Sequence, residues 1–201
     1  MSVIISRRDL IEVAPQGSGR VYTIAPLTFR ERAAMKAELV KEAGQPAFRE
    51  QLLATRRAAL RELAPDNLPE LIAVLDEAEA ITEPVDTPEA RDLAAKVSLI
   101  DAAAMEVPAY AELVARNYRS VYLTPLVAAK YGLRGWRGEG LPAFKRVRAV
   151  VPDDLLDALL PNELEEVGWA VWNAAHVSGS QEKNSAAPSP LPESQTPTQA
   201  A

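Results

Sequence analysis

Few side chains in this sequence could do chemistry. His176 is the only histidine and cysteine is absent, which removes thiolate-zinc, iron–sulfur and histidine-rich metal sites. A serine–histidine–acid relay would rest on His176 alone, and no glycine-elbow serine accompanies it. Its place near the end of the last helical pattern suits a cation facing the negative end of a helix dipole. Carboxylates stand in adjacent pairs at Asp76/Glu77, Asp153/Asp154 and Glu165/Glu166. Neighbours on a helix point about 100° apart, so these read as solvated faces rather than acid–base pairs. The glycine-rich stretch Gly135-Trp-Arg-Gly-Glu-Gly140 lacks the Gly-Lys-Ser/Thr ending of a P-loop, and it follows a helical pattern instead of a strand. No catalytic residue, metal ligand or cofactor is assigned. The expectation is not an enzyme.

What remains is a charge pattern. Between Arg116 and Arg148 stand eight Lys/Arg against one acid, Glu139, a net charge of +7. From Glu62 to Glu112 stand thirteen acids against Arg91 and Lys96, a net charge of −11. Tyr118, Tyr122, Tyr131 and Trp136 interleave with Arg116, Arg119, Arg134 and Arg137. That mixture can stack bases and track phosphates. It can equally bury the tyrosines and pair the arginines with the acidic block. A third reading makes Trp136 and its arginines an exposed anchor for another protein, because Trp, Tyr and Arg dominate interface hot spots. The whole-chain charge of −6 opposes nucleic acid as the partner of the entire molecule.

The elements that must position these residues are mostly helices. The 201 residues are 48% apolar but only 5% aromatic, so the core has to be built from Ala, Leu and Val, which favours packed helices over a sheet. Val3-Ile-Ile-Ser and Leu10–Val13, the turn Pro15–Gly19, and Val21–Ile24 predict an N-terminal β-hairpin over 1–26 that leans on the helices. A helical domain over 27–177 follows. Thr28 and Glu31 have capping-box spacing at its start, and Gly44 ends the first helix. A second helix spans about Pro46–Ala64, with Arg49 and Arg56 interrupting its apolar side; we read them as snorkelling at the edge of the core. Asp66 or Asn67 can cap a third helix bearing the stripe Leu68, Leu71, Ile72, Leu75. Thr82–Thr87 reads as a linker, and Thr87-Pro88 opens the next helix. The central helix starts at Pro108, with Tyr110, Leu113, Val114, Tyr118, Val121 and Tyr122 as its apolar half. Pro125 is expected to kink or divide it, and the glycines from Gly132 to Gly140 to make an irregular loop. Short helical patterns over Leu155–Leu160 and from Pro161 complete the domain. Residues 178–201, rich in Ser and Pro, predict a disordered tail.

The opening residues lack an apolar core of signal-peptide length, and no run approaches the roughly 18 apolar residues of a membrane span. A cytoplasmic protein with no membrane partner is the expectation.

The hairpin, Pro26-Leu-Thr-Phe-Arg-Glu31 entering a helix, the helical middle and Gly132-Leu-Arg-Gly-Trp-Arg-Gly138 together resemble the tail assembly chaperones of long-tailed bacteriophages and prophages. The Ser/Pro-rich end around Glu182-Lys-Asn-Ser is similar to small phage tail-gene products of that kind. The resemblance spans residues 1–177 in layout and 20–32 and 131–144 in motif. It implies a cytoplasmic protein of virion morphogenesis that coats the helical tape-measure protein, keeps it soluble until tail-tube subunits polymerise around it, and is missing from the mature virion. In that family a longer, frameshifted product often recruits the tail-tube protein. The family supplies no set of functional residues to carry over. From the residues themselves we take the face with Arg49 and Arg56, together with Arg119, Arg134, Trp136 and Arg137, as the candidate protein-binding surface. The client would lie as an amphipathic helix in an apolar groove. Homo-oligomerisation stays open. The alternatives are a nucleic-acid-associated protein using 116–148, or another morphogenesis role such as head–tail joining.

Overall fold

The computed structural model describes residues 10–81 and 86–176. The expected strand at Val3–Ser6, most of the 82–87 linker and the 178–201 tail lie outside them. Strands β1 (Ile11–Val13) and β2 (Val21–Ile24) pair antiparallel, with Ile11 opposite Ile24 and Val13 opposite Tyr22. Gly17 and Gly19 supply the positive φ that the turn between them needs, 76° and 65°.

Helix α1 (Phe29–Ala43) begins with the expected capping box. Thr28 Oγ1 accepts from the Glu31 amide at 3.2 Å, and Glu31 Oε2 accepts from the Thr28 amide at 2.9 Å. Gly44 closes the helix with its amide on the Val40 carbonyl at 2.9 Å. Helices α2 (Arg49–Leu63), α3 (Leu68–Ala80) and α4 (Pro88–Ala104) follow. Asn67 stands at the N-cap of α3 without a side-chain bond, whereas Thr87 caps α4 by accepting from the Ala90 amide at 3.2 Å.

Helix α5 (Pro108–Gly132) is the spine, and Pro125 does not divide it. The residue robbed of its hydrogen-bond donor is Val121, on the exposed side of the helix. One turn away the Thr124 hydroxyl donates to the Ser120 carbonyl at 2.7 Å. Two expectations are thereby corrected. Proline sits inside a continuous helix without dividing it, and the glycine-rich segment after it is a strand as far as Arg137, with the expected irregular turn only from Gly138 onward. Leu133–Arg137 forms strand β3, antiparallel to β2, with Tyr22 opposite Trp136 and Thr23 opposite Gly135. The hairpin gains the third strand that a two-stranded ribbon needs for stability. Helices α6 (Asp153–Leu156) and α7 (Pro161–Ala175) complete seven helices among the described residues. The molecule is mainly helical with a small N-terminal antiparallel strand pair. No described helix is long and apolar enough to cross a membrane.

Two hydrophobic clusters share α5. Its C-terminal half packs with the sheet, α1, α6 and α7 around Tyr22, Met35, Leu133, Leu156 and Val171. Its N-terminal end packs with α2, α3 and α4 around Leu60, Leu75, Ile100 and Tyr110. Helices α5 and α7 approach backbone to backbone: a Cβ on Gly168 would overlap the Pro125 carbonyl, and one on Gly132 would overlap Val171. Glycine at these two crossings lets the helix backbones meet.

Candidate protein-binding site

The six residues expected at a binding surface do not gather in one place. Arg56 is 9% exposed and bridges Asp101 at 3.0 Å and Glu79 at 3.1 Å, tying α2 to α4 and α3. It is no surface contact, because a guanidinium aimed into the α2–α3–α4 junction satisfies itself on the acids there. Trp136 is not an exposed anchor either. Its ring stands edge-on to Phe144 at 4.7 Å and Tyr22 at 6.4 Å, and its Nε1 donates to the Pro142 carbonyl at 2.7 Å. Arg134 turns inward and donates to Glu31 Oε1 at 2.9 Å and to the Tyr131 carbonyl at 2.6 Å. Three of the six therefore hold the fold.

The other three are exposed, and Arg137 on the sheet stands apart from Arg119 on α5 and Arg49 at the start of α2. Arg137 at the end of β3 makes a two-pronged pair with Glu12 of β1, at 2.5 and 2.9 Å, across the intervening strand. Arg119 on α5 pairs with Glu112 at 3.0 Å. Arg49 opens α2 in the open, with no ion-pair partner among the described residues.

The pairing of the basic block also differs from expectation. Among the described residues, only Arg116 and Arg119 of the basic block reach the acidic block, and both share Glu112. Lys130 sits between Glu38 at 2.7 Å and Asp153 at 2.8 Å, and Arg134 and Arg146 surround Glu31 at 2.9 and 3.6 Å. Burial would push the Glu31 carboxyl up, but its Thr28 hydrogen bonds and the two guanidiniums outweigh that and hold it below the usual carboxylate range. The acids that neutralise the basic block are thus mostly its neighbours in space from α1, β1 and α6.

The tyrosines depart from expectation most. Tyr110 and Leu113 are buried as the apolar stripe requires. One and two turns later the stripe comes out into solvent: Tyr118 is 60%, Val121 55% and Tyr122 74% exposed. The two rings stack with centroids 6.4 Å apart and planes 24° from parallel. The cause is the division of labour along α5. The α2–α4 cluster covers its start and α7 covers it from Pro125 onward; between them Ser120 is still buried, but the face bearing Tyr118, Val121 and Tyr122 has no cover among the described residues. Close by, Asn117 clamps the loop before α2, with its Oδ1 accepting from the Ala47 amide at 2.8 Å and its Nδ2 donating to the Ala47 carbonyl at 3.4 Å. That clamp puts Phe48, itself exposed, and Arg49 at the same level of α5. An apolar step flanked by cations results. Sequence reasoning missed it, although the signal was present: a stripe covering half a helix is wider than one neighbour can bury.

His176 is exposed, with its ring over Trp172 at 4.2 Å and its Nδ1 2.8 Å from the Trp172 carbonyl. A carbonyl only accepts, so Nδ1 carries the proton. No family model, curated protein or solved structure matches this chain.

Proposed function

We propose that this chain is a protein-binding, non-enzymatic factor of the tail assembly chaperone kind, holding helical segments of a tape-measure protein until tail-tube subunits take over. The observation that supports this most is the uncovered Tyr118–Val121–Tyr122 step on α5. Its residues recur at i, i+3 and i+4, which matches the spacing at which an amphipathic helix presents its own apolar side chains. Large, stiff tyrosine rings give contact area at low entropic cost, and Arg49 and Arg119 flank them to meet acids on the client's polar rim. Many copies along a long client would hold it by avidity, each with a weak single site.

The test is co-expression with a tape-measure fragment. Wild type is expected to keep the fragment in the supernatant and to co-purify with it. Tyr118→Ala/Tyr122→Ala should lose both while remaining folded by circular dichroism. Unchanged co-purification would sink the reading. Stacked, exposed tyrosines beside Arg119 also suit single-stranded nucleic acid. Retention on a DNA column that fades with salt, and is lost with Arg119→Ala, would establish that second reading instead.

A further inference from the structure

Among the charged groups that make no internal ion pair with a described residue, two surfaces of opposite sign stand out. The first is an open groove of about 560 Å³ bounded by Lys145, Val147, Arg148, Val150, Pro152 and the already paired Lys130. Lys145 and Arg148 are exposed and have no ion-pair partner among the described residues. Asp153, at the groove's end, is taken by Lys130.

The turn that presents Arg148 is unusual. Arg148 and Ala149 have φ of 51° and 69°, a region that side chains other than glycine seldom adopt. Val147 and Val150 exchange backbone hydrogen bonds on either side of them, at 2.8 and 3.1 Å. Arg146 secures the turn from below, donating to the Ala149 carbonyl and, at 3.2 Å, to the Tyr131 carbonyl. Two positive φ values in a row are what a two-residue hairpin turn needs, and these bonds hold that turn in one shape.

The second surface is the outer face of α3. Glu70, Ala73 and Glu77 lie along it at i, i+3 and i+7, with Asp66 one turn ahead, all exposed and opposite the inward stripe Leu68, Leu71, Ile72, Leu75. Asp76 beside them is occupied by Arg57 at 2.5 Å. Lys96 is held by Asp92 at 2.6 Å and senses Glu77 only from farther away. Asp66, Glu70 and Glu77 have no ion-pair partner among the described residues.

These surfaces cannot satisfy each other within one molecule. The α3 helix belongs to the cluster around Tyr110, whereas the groove begins at Lys130. Twenty residues of α5 separate those levels, roughly 30 Å of helix, against a screening length of about 8 Å at physiological salt. We propose that the acidic α3 ridge of one copy seats in the Lys145–Arg148 groove of a second copy, so that the chain self-associates head to tail. The carboxylates at 66, 70 and 77 meet the two cations, and Ala73 allows close approach to the apolar floor of Val147, Val150 and Pro152. Such a contact uses two different patches, so each added copy exposes a fresh one of each kind and the array stays open or closes as a ring. The Tyr118–Tyr122 step is part of neither patch and stays free in every copy, an arrangement independent of what binds there.

Sedimentation velocity on the full chain tests this. At low salt the weight-average mass is expected to climb with concentration past that of a dimer, and to fall to the monomer value near about 1 M salt, where the screening length is about 3 Å. Lys145→Ala/Arg148→Ala and Glu70→Ala/Glu77→Ala, which remove the charges without creating a reversed pair, should each weaken self-association at least about tenfold. Mixed together, the two variants retain one intact copy of each wild-type patch and should form a heterodimer that stops at two chains. That mixture also proves both variants folded. A wild type that stays monomeric overturns the proposal. So does association that ignores salt and both variants, or a mixture of well-folded variants that does not pair. Association abolished by Tyr118→Ala/Tyr122→Ala instead would place the contact on the aromatic step and overturn it too.

Discussion

The Tyr22 hydroxyl donates to Glu163 Oε2 at 2.6 Å, and neither side chain has exposed surface. This bond fastens β2 to the first turn of α7. Arg20 adds a second donor to the same oxygen at 3.0 Å, while Glu163 Oε1 has no partner among the described residues. Burial would push the Glu163 carboxyl up, but the hydrogen bonds from Tyr22 and Arg20 outweigh that and hold it below its usual range. Burial and the neighbouring carboxylate together push the Tyr22 phenol well above its ordinary value.

Removing the phenol leaves a buried carboxylate short of a donor. Tyr22→Phe should lower unfolding free energy by about 2 kcal/mol at neutral pH, the scale of a hydrogen bond to a charged group. Urea unfolding measures it. A change within error would mean that Arg20 alone satisfies the carboxylate.

The same pair sets an acid limb. A carboxyl whose folded value lies below its unfolded value contributes stability above the unfolded value of about 4.3, and loses it as pH falls through the folded one. Stability of wild type should therefore drop below about pH 4. Glu163→Gln, unable to ionise, should lose less over the same window, leaving Glu31 as a second contributor with the same sign. Parallel pH curves for the two proteins would contradict this.

Arg56 carries the α2–α3–α4 junction. Because Glu79 and Asp101 keep partial access to water, Arg56→Ala should cost about 2–3 kcal/mol, less than the loss of one partner from a fully buried pair. Arg56→Met preserves the packed stem and should cost less than alanine. Equal losses for both would show that the charge, not the stem, matters.

Two glycines only thirty-three residues apart should respond oppositely. Gly168→Ala drives a methyl group into the Pro125 carbonyl and should cost about 3 kcal/mol or prevent folding. Gly135→Ala meets nothing nearer than Thr23 at 3.8 Å and should change stability by less than about 1 kcal/mol. Thermal melting of both variants separates close helix packing from glycine content as the cause.

Tyr118→Ala and Tyr122→Ala should move the melting temperature little, with losses near about 0.5 kcal/mol each, because both rings stand in solvent. A loss of several kcal/mol would place them in the core and remove the surface on which client binding is proposed.

Local signals were legible in the residues. Thr28 with Glu31, Gly44, and Thr87 with Pro88 marked helix ends, because a cap is made by groups within four residues of each other. The inward stripe of α3 was legible for the same reason: a period of 3.6 is a property of one segment. What lay beyond a segment was not. Leu133–Arg137 reads as a glycine-rich loop until β2 lies beside it. Arg137 finds Glu12 across 125 positions, and Arg20 finds Glu163 across 143.

By itself the sequence determined that this chain is helical, where most helices start and stop, and which face of each is apolar. The tertiary structure alone decided which apolar faces are covered and which charges are neutralised. Covering Tyr110 but not Tyr118, and burying Arg56 but not Arg49, depends on where neighbouring helices end. That is set by packing between segments far apart in the chain, where hydrophobic burial and ion pairing are non-local energies that no short window of residues contains.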